Sequence, residues 1–260
     1  MNTPVNIIDR PVRMPRPVFL ASWELAGLGA PPVVVEPDHT HRTDDAEVAF
    51  RQRALELLVQ LGLADTDGVL VPQYRATLGV LATARREVYS WNNLRHASVQ
   101  AAAILTAESG RDAVRLITDH EVIQLDPIRP QDLVESLVDT LPTRPSARIR
   151  PLCVPKAHYD DAGRDYRTDD PLNEISAQAD ELRHLMRAGR DAIHQLYVAT
   201  RQGIGERTRS TPLSTIDLTR EGRILSFIND GLDGGPQINL YPGRRDHLID
   251  ALTLTLNALG

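Results

Sequence analysis

The sequence has a single cysteine, Cys153, and a single lysine, Lys156, among its 29 basic residues. One cysteine cannot form an internal disulfide, which excludes a disulfide-stapled secreted scaffold and fits a reducing cytoplasm. With no histidine beside it to activate the thiol, Cys153 is expected to be a small buried apolar residue. No apolar run approaches the roughly eighteen residues that cross a bilayer, so membrane insertion is not expected. The N-terminal MNTPVNIIDRPVRMPRPVFL lacks an apolar core ahead of a small-residue cleavage site, so it does not read as a secretory signal. Basic residues never gather beyond two or three and the net charge is −6, which removes nucleic acid as the default partner. Also missing are a P-loop, G-x-G-x-x-G, G-x-S-x-G and C-x-x-C. The scarcity of lysine beside abundant Ala, Leu and Asp points to a GC-rich bacterial genome.

What is present is a hydrophobic share of 42% in 260 residues, enough to bury a large core. One unit of sequence is used twice. GRILSFINDGLDGGPQINLYPGRRDHLIDALTLTLNAL, from Gly222 to Leu259, reads as strand, Gly-rich turn, strand and apolar-faced helix. GRDAVRLITDHEVIQLDPIRPQDLVESLVDTL, from Gly110 to Leu141, repeats that order. Placing Ile123 on Ile238 puts Leu125 on Leu240, Pro127 on Pro242, Leu133 on Leu248, Leu137 on Leu252 and Leu141 on Leu256. The Gly110-Arg111 pair then matches Gly222-Arg223, with extra residues in the second hairpin loop.

Read in order, residues 1–17 carry four prolines and no period, and are expected to be a peripheral tail. VFL and VVV flank a short helix that Ser22 could cap. Thr43 caps a longer helix whose first turn holds Asp44 and Asp45 and whose face is Phe50, Ala54, Leu57, Leu58 and Leu61, ending at Gly62. Pro72 opens another, with Tyr74, Leu78 and Leu81 inward. The period then falls to two: 86–91, 99–105, 113–118 and 121–125 read as an antiparallel meander. Residues 142–170 read as a linker between halves 18–141 and 171–260 of one domain, 18–260. A helix from Asp170-Pro171 buries Leu172, Ile175, Ala179, Leu182 and Met186 and stops at Gly189. Strands over 192–200, 213–218, 222–229 and 237–241 lead to the closing helix. If the meanders join, the fold class is α+β: a pseudo-twofold duplicated unit with a central antiparallel sheet flanked by helical bundles.

Chemistry-bearing clusters are few. Asp38, His39, His41, Asp44 and Asp45 stand in a short polar stretch, and two of the carboxylates already serve a helix start, so no metal site is assigned there. Asp160, Asp161, Asp165, Asp169 and Asp170 lack the spacing of a calcium loop. His184 and His194 flank a helix end and read as solvent-facing or helix-terminal. No catalytic residue, metal ligand or cofactor is assigned. Trp91 ends a strand before the polar tip Asn92, Asn93, Leu94, Arg95 and His96, an arrangement suited to a protein contact.

FLASWELAGLGAPPVVV, LLVQLGLADTDGVLVPQYRATLGVLATARREVYSW, SARIRPLCVPKAHYDDA and GRILSFIND with PQINLYPGRRDHLIDALTLTL follow one another along nearly the whole chain. In that order they resemble the EspG family, the cytosolic chaperones of actinobacterial type VII (ESX) secretion systems. The resemblance implies the same pseudo-twofold fold and a non-enzymatic role in the cytoplasm. The expected partner is a PE–PPE-like heterodimer, whose hydrophobic tip the chaperone covers; it leaves room for a weak homodimer. In the family, the loop between the second and third strands and the surface of the C-terminal bundle and sheet meet that tip. Counting VFL as the first strand, the matching loop is 92–97, so Trp91, Asn92, Asn93, Leu94, Arg95 and His96 are the expected contact residues. Two other readings stay open: a metal-assisted hydrolase built on the 38–45 cluster, and an unrelated α+β adaptor.

Overall fold

The first strand lies where a tail was expected. In the structure, a computed structural model that describes residues 6–37, 41–95, 103–119, 121–161, 174–203, 206–231 and 234–260, β1 (Val12–Pro15) buries Val12 and Met14 and exposes Arg13 and Pro15. Pro15 cannot donate to a ladder and its fixed φ suits a helix entry, so the strand stops there and α1 (Arg16–Leu25) begins. VFL therefore belongs to a helix rather than a strand. Ser22 does not cap it: its hydroxyl, fully buried, donates to the Phe19 carbonyl at 2.7 Å and shares a 2.7 Å bond with the Tyr74 hydroxyl.

Two helices complete this layer. α2 (Asp44–Gln60) carries Asp44, Asp45 and Glu47 at its positive end, and Thr43 holds the cap position without a side-chain cap bond. Ala54 and Leu58 are buried, and Gly62, at φ +72°, turns the chain out of the helix. α3 (Pro72–Ala82) buries Tyr74, Leu78 and Leu81. The strands β2 (Arg86–Leu94), β3 (Ala103–Ser109), β4 (Asp112–Thr118) and β5 (Val122–Ile128) then form the meander, and a 3-10 turn (Pro130–Asp132) leads into the short α4 (Leu133–Val138).

The second half repeats the plan from its edge inward. β6 (Leu152–Pro155) and α5 (Lys156–Asp160) lie inside the expected linker, so 142–170 is not merely a connection. β6 buries Leu152 and Val154 and, like β1, ends in a proline that caps a helix. Cys153 points outward and is exposed, with its thiol 3.1 Å from Gln237 Oε1; alternation along an edge strand overrides its apolar preference. α6 (Glu174–Arg187) buries Ala179, Leu182 and Leu185, while Ile175 is 43% exposed rather than part of the inner face; Leu172 and the expected start at Asp170-Pro171 lie outside the described residues. β7 (Arg190–Arg201), β8 (Arg207–Arg209), β9 (Leu213–Leu218), β10 (Gly222–Asp230), β11 (Pro236–Pro242) and α7 (Arg245–Leu259) follow.

The pairings between the described strands are antiparallel, and the order β1-β5-β4-β3-β2-β7-β9-β10-β11-β6, with β8 beside β7, reads the same outward from its centre. Met14 faces Ile123 and Val154 faces Ile238, so the placement of Ile123 on Ile238 holds at the sheet edges. The neighbouring strands depart from it. Leu116 faces Leu125, but Leu240 faces Ser226, two residues short of the Ile228 that the alignment requires. Gly110 and Arg111 form the open turn between β3 and β4, whereas Gly222 and Arg223 are inside β10. A Cβ on Gly222 would meet the Pro145 carbonyl at 2.6 Å; one on Gly110 would meet nothing. The matching letters therefore mark two different glycine requirements.

Helices cover the sheet on both faces. On one face α1, α2 and α3 pack over Tyr89, Leu105, Val114, Leu116, Ile123 and Leu125, and α6 packs over Ile216, Leu218, Ile224, Ile238 and Leu240. On the other face α4 and α7 share one core with Val88, Ile104, Leu196, Val198 and Leu213, which straddles the join of the halves.

Candidate functional site

Following the ladders inward from the two edges shows which central residues are equivalent. Leu125 faces Leu116, Leu116 faces Leu105 and Leu105 faces Tyr89; in the other half Leu240 faces Ser226, Ser226 faces Ser214 and Ser214 faces Gln195. Tyr89 is thus the twin of Gln195, and Trp91 the twin of Tyr197. The pairs Tyr89 with Tyr197 and Trp91 with Gln195 lie side by side on β2 and β7, and the pseudo-twofold axis passes between them. Both pairs face the side that carries α1–α3 and α6.

Between those two helical layers the central strands are incompletely covered. Tyr89 is fully buried and Trp91 and Tyr197 pack at the rim of the α1–α3 core, while Ile193 packs against the α6 core. Asn93, which faces Ile193, and Gln195, which faces Trp91, are exposed. The result is a valley floored by aromatic and amide side chains, a surface suited to another protein.

The expected contact segment is a strand here, not a loop tip. β2 runs on through Asn92, Asn93 and Leu94, paired with His194, Ile193 and Ala192. A strand's period of two then divides the segment: Trp91 and Asn93 face the valley, and Asn92 and Leu94 face the opposite side. Leu94 is half-buried rather than presented at a tip. Arg95 is exposed just past the strand end, its amide donating to the Asp191 carbonyl at 2.9 Å. His96 and Ala97 lie outside the described residues.

On the opposite side Asn92 starts a buried polar row. Its Oδ1 lies 3.0 Å from Nδ1 of His194, whose Nε2 lies 3.4 Å from Asp217 Oδ2. Arg223 donates from Nε to Asp217 Oδ1 at 2.6 Å, and from Nη2 to Oδ2 at 2.9 Å and to the Pro142 carbonyl at 2.7 Å. His194 is fully buried within β7, contrary to the expectation of a helix-terminal or solvent-facing residue; His184 is exposed on α6. Burial pushes the Asp217 carboxyl up, but the hydrogen bonds and charges of Arg223 and His194 more than offset it and hold it down to about 2. The row ties β2, β7, β9 and β10 to the 142–147 crossing. Asn92 is half-buried, whereas His194, Asp217 and Arg223 are buried and bear on the valley only through the position of the strands.

The rest of the site was not visible as a motif. Tyr89 and Tyr197 stack, with ring centres 5.1 Å apart and planes at 13°. Residues of β8 reach over them: the Arg207 guanidinium lies 5.2 Å from the centre of Tyr89 and that of Arg209 lies 5.1 Å from the centre of Tyr197. Only their spacing on alternate strand positions hinted at a shared face.

Of the 38–45 cluster, Asp38 and His39 lie outside the described residues, and His41, Asp44 and Asp45 are exposed. Among the described residues no group of three or more His, Cys, Asp and Glu is placed to hold a metal ion. A cleft of 690 Å³ between α1 and α2 is lined by Leu20, Leu25, Phe50 and Leu55 with Arg42 and Glu47. Among the described residues no helix is long and apolar enough to cross a membrane.

A sequence profile described as the EspG family matches residues 17–253. No sequence among curated proteins matches. The fold is similar to that of EspG5, a type VII secretion system chaperone of Mycobacterium tuberculosis, in its complex with a PE25–PPE41 dimer. The TM-score is 0.69 at 13% identity, over 96% of this chain and 97% of that one.

Proposed function

This chain belongs to the EspG family, and from that premise we propose that it is a cytosolic, non-enzymatic chaperone of a type VII (ESX) secretion system. In this reading it binds a PE–PPE-like heterodimer, covers the hydrophobic tip of that helical substrate and keeps it soluble for export. The observation that carries the reading is the family match over 17–253 together with a fold shared end to end with EspG5, a chaperone whose structure holds such a dimer. The physics of the role agrees with the site. An exposed apolar tip self-associates unless it is covered, and the valley offers an aromatic floor with polar neighbours and needs no reactive group. Trp91 and Asn93 form the valley side of the contact, and Arg95 continues it beyond the strand end; Asn92 and Leu94 support it from the opposite face.

The test is co-expression of the full chain with the PE–PPE-type gene pair encoded nearest to its own gene. The expected result is a soluble pair that co-elutes with the chain and aggregates when the chain is left out. A pair that stays soluble alone and never co-elutes would sink the reading, and stoichiometric tightly bound metal in the purified chain would favour the hydrolase instead.

A further inference from the structure

The connection between β2 and β3, which holds Arg95 and His96, has a twin in the other half: the connection between β7 and β9. There the chain forms β8, which pairs with the far end of β7, Ala199 facing Arg209 and Arg201 facing Arg207. Because β2 and β7 are antiparallel, the two strands that lead into these connections end at opposite ends of the valley.

β8 builds the same arrangement twice and completes it once. Arg207 lies over Tyr89 and donates from both Nε and Nη2 to Glu87 Oε2, at 2.9 and 2.6 Å. Arg209 lies over Tyr197, the ring stacked on Tyr89, yet it is exposed and forms no ion pair with a carboxylate among the described residues. The first arginine shows what the second lacks. A guanidinium resting on an aromatic face keeps its planar donors free at the edge, and a carboxylate is the group that matches them. A single such cation on a chain of net charge −6 does not make a track for a phosphate polymer.

We propose that Arg209, seated on Tyr197, receives an aspartate or glutamate of the helical partner while the partner's apolar tip lies along the valley toward Trp91. This rests on the chaperone reading and adds to it a chemical requirement: an acidic side chain beside the apolar tip. Arg209 is then a specificity residue, since a partner without the acid leaves the guanidinium desolvated and unmatched.

The experiment uses the full chain and the PE–PPE-type pair that it captures, with affinity measured at about 50 and about 300 mM NaCl, where screening of a single exposed pair changes markedly. Arg209→Gln is expected to weaken binding about tenfold at the lower salt and to flatten the salt dependence, at unchanged melting temperature. Arg209→Lys, which keeps the charge but not the fork, is expected to fall between the two. Wild-type affinity and salt slope in Arg209→Gln overturn the proposal while leaving the chaperone reading intact. If the wild-type chain captures no pair, the reading fails and the proposal with it.

Discussion

At the scale of single residues, Asp217 is the centre of the buried polar row. It is 4% exposed, shares both oxygens with a buried arginine and stands next to a buried histidine. A carboxyl with an ordinary value of 3.8 that folding holds near 2 stabilises fully above the unfolded value. The contribution, about 2 kcal/mol, is lost as pH falls through the interval between the two. Asp217→Asn is therefore expected to do two things. At neutral pH it leaves Arg223 buried without its charge partner, a loss of about 3–5 kcal/mol. Between about pH 5 and 2 its stability should fall less steeply than that of wild type. Urea unfolding across that range measures both, and parallel curves would show that Asp217 is not what titrates. None of this could be read from the sequence, where Asn92 and His194 are far from each other and from the Asp217–Arg223 pair, and polar residues at strand positions look like solvent-facing ones.

At the scale of elements, the long helices and the inner strands were legible because each has a full period to show: Phe50 to Leu61 at helical spacing, Ala113 to Thr118 alternating. The two edge strands were not. β1 and β6 each bury only two side chains and end in prolines, so VRMP and LCVP look like tail and linker until a neighbouring strand pairs with them. The site suffered from the same limit in another form. Reading Asn92 to Ala97 as a loop treated its side chains as one exposed group, whereas strand geometry sends Trp91 and Leu94 to opposite faces. That division has a measurable consequence. Leu94→Asp should lower stability by roughly 1–2 kcal/mol, because it places a charge on the half-buried side of the sheet, yet leave partner capture close to wild type at temperatures where it is folded. Trp91→Ala should weaken capture at those same temperatures. Thermal melts and pull-downs of the pair of variants decide it: a Leu94→Asp protein that folds as well as wild type and loses its partner would return that residue to the contact surface.

At the scale of the whole molecule, the halves are interlocked rather than merely adjacent. Nine residues of β2 pair with β7, from Arg86 to Leu94; α4 and α7 share a core across the join; and β6, which precedes the 162–173 connection, pairs with β11, which follows it. A protease site placed within 162–170 and cut to completion should therefore leave two fragments that co-elute under native conditions and separate only in denaturant. Fragments that part without denaturant would argue against the shared sheet.

The same near-symmetry bears on how anything could lie in the valley. A perfect twofold surface cannot tell the head of an elongated object from its tail, since turning the object end for end presents the same contacts. Here the twin positions differ: tryptophan faces glutamine in one pair and tyrosine stacks on tyrosine in the other, and the two arginines of β8 stand at one end only. The scaffold is built by repetition, but the floor of the valley has a polarity. A bound helical hairpin would be held in one direction along it, and the end left projecting would always be the same one.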